Sequence, residues 1–126
     1  MKIYLASPLF TDYERQRVKE WAARLRGCGR EVYVPMEHSI ENAWELPNYE
    51  WAKKVFDEDI KAIQEADEVY CIYYGLYSDS GTAWECGYAY ALGKAVRLID
   101  ESNEEVSLMV VNGARNWDDF RHKNQT

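Results

Sequence analysis

One carboxylate, Glu85, stands in an otherwise small and apolar stretch, Ser78-Asp79-Ser80-Gly81-Thr82-Ala83-Trp84-Glu85-Cys86-Gly87-Tyr88-Ala89-Tyr90-Ala91. Acidic side chains are almost never fully buried unless they are paired or functional. The stretch reads as a helix behind a Gly-containing turn, and the turn follows an apolar run, Glu68-Val69-Tyr70-Cys71-Ile72-Tyr73-Tyr74-Gly75. Glu85 is therefore expected near a helix N-terminus at the carboxyl end of a strand, the edge where open α/β sheets bind ligands. A helix dipole there favours the ionised form, and an ionised carboxylate is a nucleophile. Asp79, before Ser-Gly, reads equally as a ligand-binding carboxylate or an Asx cap. Asp59 lies in Asp57-Glu58-Asp59, where a charge cluster on a helix is ordinarily a solvated face. Cys86 adjoins Glu85, but one helical step turns it away by about 100° and assigns it to packing. His38 and His122 lack zinc-ligand spacing. Tyr4, Phe10, Trp84 and Tyr88 fit a core, and the last two also fit a subunit interface.

The elements that must hold these groups follow from periodicity. Strand-like runs at residues 2–6, 31–35, 68–74 and 95–99 alternate with helical patterns, the signature of βαβ units and a parallel sheet. A first helix starts at Thr11, which forms a capping box with Glu14, and it buries Val18, Trp21, Ala22 and Leu25. Gly27 or Gly29 ends it. A second helix covers residues 49–65, behind a polar segment, 37–48, long enough to face a ligand. The Glu85 helix ends at Gly93-Lys94. Ser102 and Glu105 form a second capping box, expected to open a short helix through Leu108, Met109 and Val110, and the tail from Arg121 is expected to fray. The sequence contains no repeat, linker or low-complexity segment.

Composition narrows the function. With 126 residues the chain suits a single domain. A net charge of −7 disfavours nucleic acid as a partner, because phosphate backbones need a basic face. A small neutral ligand fits better. No apolar run is long enough to cross a bilayer, and Met1-Lys2-Ile3-Tyr4-Leu5 reads directly as a strand rather than as a signal peptide. Three cysteines, Cys28, Cys71 and Cys86, are odd in number and lack C-x-x-C spacing, so reduced thiols in a cytoplasmic protein are expected.

Lys2-Ile3-Tyr4-Leu5-Ala6-Ser7-Pro8-Leu9-Phe10, followed by Asp79-Ser80-Gly81-Thr82-Ala83-Trp84-Glu85-Cys86-Gly87, resembles the nucleoside 2-deoxyribosyltransferase family. Tyr33-Val34-Pro35, Asp57-Glu58-Asp59, Gly93-Lys94 and Leu108-Met109 follow in that family's order and approximate spacing, so the resemblance covers nearly the whole chain. It implies an α/β, single-domain, flavodoxin-like three-layer fold with a mostly parallel sheet of about five strands. It also implies exchange of the base on a 2′-deoxyribonucleoside, without metal or organic cofactor. The catalytic set it implies is Glu85 as nucleophile, Asp59 to protonate or hold the departing base, and Tyr4 to orient Glu85. Asp79 would bind the 5′-hydroxyl, with Gly81, Phe10 and Ser39 among the substrate-binding positions. The partners implied are 2′-deoxynucleosides, nucleobases and further copies of the chain, as a dimer or assembly of dimers in which Ser107 and Met109 are lent to the neighbouring site.

The chain departs from the family pattern in three places. Ser39 stands where the family commonly has Gln, and Ser107 where a neighbouring subunit usually lends Asn. Serine at 107 resembles the related 2′-deoxynucleoside 5′-monophosphate N-hydrolases, whereas Asp79 would repel a phosphate dianion. Beyond Trp117-Asp118-Asp119-Phe120 no aromatic C-terminal segment is expected to fold over the site, which would admit water and let hydrolysis compete. The alternatives are therefore an N-glycoside hydrolase of 2′-deoxynucleosides or their 5′-monophosphates, and a nucleoside-binding flavodoxin-like module without turnover. A flavin module fits less well, because the turn after the first strand lacks a phosphate-binding Gly-rich loop.

Overall fold

The computed structural model describes residues 1–38, 48–75, 79–102 and 106–116. Within them, strands β1 (Lys2–Ala6), β2 (Glu31–Tyr33), β3 (Glu68–Tyr73) and β4 (Ala95–Asp100) form one parallel sheet in the order β2-β1-β3-β4. Four helices accompany them: α1 (Asp12–Gly27), α2 (Asn48–Glu65), α3 (Ser80–Ala91) and α4 (Leu108–Asn112). Strand order reverses at β1, between a first crossover to β2 and a second back to β3, which is where doubly wound sheets open a ligand crevice.

Alternation along β1 assigns its faces. Ile3 and Leu5 pack with Val18, Ala22 and Leu25, the stripe that α1 presents at helical spacing. Tyr4 and Ala6 point the other way, into a cluster with Ile63 of α2 and Cys86 and Ala89 of α3. The sheet thus lies between two helical layers. Each fully buried aliphatic side chain contributes roughly 1.5–3 kcal/mol, so a one-residue slip of β1 would be heavily disfavoured. Its register sets Tyr4 opposite Tyr33 on β2 and opposite Val69 on β3.

The capping box at Thr11 is formed in both directions. Thr11 Oγ1 accepts from the Glu14 amide at 3.1 Å, and Glu14 Oε1 accepts from the Thr11 and Phe10 amides, each at 2.9 Å. That tie also fixes the path of the chain after β1. Of the two candidate glycines, Gly27 is helical and Gly29 makes the exit, with φ +83°.

Several expectations need correction. β2 stops at Tyr33, because Pro35 opens a 3₁₀ turn over Pro35–Glu37. Four strands rather than about five occur among the described residues. Beside β4 the chain instead runs irregularly, with the Asn116 carboxamide donating to Leu98 O at 2.8 Å and accepting from Leu98 N at 3.0 Å, as a neighbouring strand's backbone would. The helix that carries Leu108, Met109 and Val110 starts at Leu108 behind Ser107 rather than from Ser102, whose amide donates to Asp100 Oδ1 at 2.7 Å. Glu105, Ser39, most of the polar segment before α2, Trp117-Asp118-Asp119-Phe120 and the tail from Arg121 lie outside the described residues. No described helix is long and apolar enough to cross a membrane.

Candidate active site

A cavity of about 770 Å³ opens at the carboxyl ends of β1, β2 and β3. The segment after β1 supplies Ser7 and Phe10, Pro35 comes from the turn after β2, and Asp79, Gly81 and Glu85 come from the start of α3. Asp59, from the middle of α2, faces in from the opposite wall. Three carboxylates from two helices therefore share one cavity.

Glu85 receives a hydrogen bond from the Tyr4 hydroxyl onto Oε2. The Tyr4 ring is wholly buried, so the core residue expected from sequence is also the partner of the carboxylate. Burial pushes the Tyr4 hydroxyl far above its ordinary range, and the adjacent Glu85 charge adds to this, so Tyr4 acts as a donor. Glu85 itself is pushed up to about 7, mainly by burial and further by Asp59 and Asp79, with the Tyr4 hydrogen bond opposing. The expected dipole effect does not reach it. Glu85 lies in the second turn of α3, whereas the dipole acts within the first, so the hydroxyl rather than the helix end favours its charge.

Asp59 is separated from its acidic neighbours by orientation. Asp57 is exposed and pairs with Lys53 at 3.1 Å, a solvated-face contact. Asp59 is half-buried, and burial, with Glu58 beside it and His38 opposing, pushes it up to about 6. Asp79 combines both sequence readings: it is the N-cap of α3, accepting from the Thr82 amide at 3.1 Å, and it lines the cavity. Gly81 follows from that cap, because a Cβ at 81 would come within 2.9 Å of Asp79 Oδ2.

Aromatic rings form the rim. Phe10 is 75% exposed, and Phe56 and Trp84 lie tilted against each other with centroids 5.6 Å apart, both about half exposed. Ser107 and Met109 are not brought to this cavity. They line a second, apolar groove of about 730 Å³ between α3 and α4, on the Cys86 side of α3. Ser107 is the α4 N-cap position, and its amide donates to the Tyr73 hydroxyl at 2.6 Å. Met109 is 86% exposed. None of the three cysteines is disulfide-bonded, and Cys86 packs with Cys71 in the core, away from Glu85.

A family model described as nucleoside 2-deoxyribosyltransferase matches residues 3–121. The chain belongs to the nucleoside 2-deoxyribosyltransferase family. A solved 2-deoxyribosyltransferase from the psychrotolerant bacterium Bacillus psychrosaccharolyticus is 35% identical, with a TM-score of 0.83 over 95% of this chain and 90% of that one. A nucleoside deoxyribosyltransferase from Limosilactobacillus fermentum is 26% identical over 92% of this chain and 77% of its own length. A CMP N-glycosidase from Clostridium botulinum is similar at 26% identity and a TM-score of 0.55, over 78% of this chain and 70% of that one.

The cavity brings together the carboxylates expected from sequence, and part of its wall comes from residues not expected there. Trp84, expected in the core or at an interface, has its ring at the cavity mouth, and Phe56 and Trp51 of α2 line it as well. The signal was present: Trp51, Phe56 and Asp59 fall at helical spacing with Ile63, which puts the two rings on the face carrying Asp59.

Proposed function

We propose that the protein transfers 2-deoxyribose between nucleobases through a covalent ester on Glu85. The observation that carries this is the Tyr4 hydroxyl donating to the Glu85 carboxylate in a cavity that also holds Asp59. A Glu85 oxygen attacks C1′ while the N-glycosidic bond breaks, its electron pair going to the base nitrogen, which takes a proton from Asp59. Tyr4 holds the attacking carboxylate in line. In the second half, a nitrogen of the incoming base attacks C1′, the ester C–O bond breaks, its pair returns to the carboxylate, and Asp59 takes the proton from the base. Two displacements at one carbon give retention and ping-pong kinetics.

Asp79 receives the 5′-hydroxyl, positioned by its capping bond to Thr82, and Gly81 leaves it room. Phe10 and the rim aromatics flank the base, and Ser39 takes the position from which the family reads base edges. The Glu85 site is completed by a second copy of the chain, which lends Ser107 and Met109 from its α3–α4 groove. Exposed Leu108, Met109 and Tyr90 around that groove support a homo-oligomer, since monomers seldom expose such apolar clusters.

Hydrolysis is the second reading, favoured by the likeness to a CMP N-glycosidase and by Ser107. In it, water replaces the incoming base at the ester. Chromatography of deoxyinosine, thymidine or deoxycytidine, each with and without adenine, decides between them, with 5′-monophosphates run in parallel. Deoxyadenosine formed only with adenine, and lost in Glu85→Ala, supports transfer. Free base released without acceptor supports hydrolysis, and no turnover supports a binding module.

A further inference from the structure

Tyr33 and His38 carry no step of the chemistry above, although His38 opposes the upward push on Asp59, and their rings continue the line that ends at Glu85. Tyr33 is the cross-strand neighbour of Tyr4, and the two rings stack with centroids 5.6 Å apart and planes within 12°. His38 stacks on Tyr33 at 4.2 Å and 7°. Three nearly parallel rings thus run from the exposed His38 to the buried Tyr4, whose hydroxyl meets the carboxylate.

The outermost ring is held in place by the backbone. The 3₁₀ turn Pro35–Glu37 follows β2, and the His38 amide donates to Pro35 O at 3.1 Å. Arg26, at the end of α1, grips both Glu37 carboxylate oxygens at 2.9 and 2.6 Å and donates to Val32 O at 2.8 Å. These ties fix the segment that carries His38 beside the Tyr33 ring.

We propose that His38 and Tyr33 are positioning residues, whose stacked rings hold the Tyr4 hydroxyl on Glu85. This rests on Glu85 as the nucleophile. Tyr33 packs flat against the Tyr4 ring, and the His38 ring in turn covers Tyr33, which is half-buried. Parallel stacks of this kind gain from ring overlap beyond simple burial, and a small misplacement of a catalytic group costs rate rather than affinity.

The test compares His38→Ala with His38→Phe, and Tyr33→Ala with Tyr33→Phe, in steady-state base transfer and in a ¹³C NMR titration of Glu85 in the free protein. His38→Ala is expected to lower kcat by about 3–10-fold with KM within about twofold, and to move the Glu85 midpoint upward as the Tyr4 hydrogen bond loosens. His38→Phe, which restores the ring without its charge, should recover both, and Tyr33→Phe should likewise outperform Tyr33→Ala. The proposal is overturned if His38→Phe is as impaired as His38→Ala, if KM moves instead of kcat, or if the Glu85 midpoint is the same in His38→Ala and wild type. The titration needs no turnover. Should wild type neither transfer nor release any base, the nucleophile assignment falls, and the titration still decides whether the stack holds Tyr4.

Discussion

Glu85 is a carboxylate whose surroundings oppose its own charge. Its pKa, raised from 4.5 to about 7, means that between these values the native state binds a proton the unfolded chain has lost, so stability falls as pH rises through that window. Asp59, raised from 3.8 to about 6, acts in the same direction over its own window. Glu85→Gln should therefore raise the melting temperature at pH 8 and leave it nearly unchanged at pH 4, with the gain at pH 8 on the order of 1–3 kcal/mol. In the proposed mechanism the same pair would set the rate. With one proton needed on Asp59 and none on Glu85, kcat/KM should rise as pH passes about 6 and fall above about 7, these values belonging to the coupled pair. Asp59→Asn should lower transfer and abolish the alkaline limb, and a pH profile of both proteins checks it. Glu85 and Asp79 were legible in sequence because an acid in an apolar helix and an acid before Ser-Gly are each conspicuous. The bond from Tyr4 was not legible from spacing. It joins residues 81 positions apart, so only the family resemblance suggested it.

At the scale of elements, the start of α3 does two jobs with one residue. Asp79 caps the helix and faces the cavity, and Gly81 exists in the space its carboxylate leaves. Gly81→Ala should push that carboxylate aside, weakening the cap by roughly 0.5–2 kcal/mol and raising KM for the nucleoside. Thermal melting and steady-state kinetics together would show both effects, and a stability loss with KM unchanged would separate Asp79 from substrate. The strands and helices were readable because their periods are strong and their caps local, as at Thr11 and Glu14. What failed was decided by side chains that take up backbone groups of β4 and of the turn after it. Asn116 stands in for a strand beside β4, and Asp100 takes the Ser102 amide that a helix cap would have used. The exposure of Trp84 was hidden for a related reason, since an aromatic in an apolar helix reads as core until the facing helix is placed.

At the scale of the whole molecule, one chain gathers Glu85, Asp59, Asp79 and Tyr4 but leaves Ser107 and Met109 on the far side of α3. If neighbouring copies exchange these residues, Glu85→Ala and Met109→Ala chains should complement each other. Mixing and re-assembling them should give more transfer than the mean of the two separate preparations, because some mixed sites hold both native residues. Activity equal to that mean would confine each site to one chain. The proposed ester on Glu85 can be sought on the intact protein by mass spectrometry, after rapid acid quench with a deoxynucleoside and no acceptor base. A species heavier by one 2-deoxyribosyl group is expected, mapped to the peptide containing Glu85, absent in Glu85→Ala and discharged by adenine. Steady turnover with no adduct at any quench time, or an adduct that survives in Glu85→Ala, would contradict it.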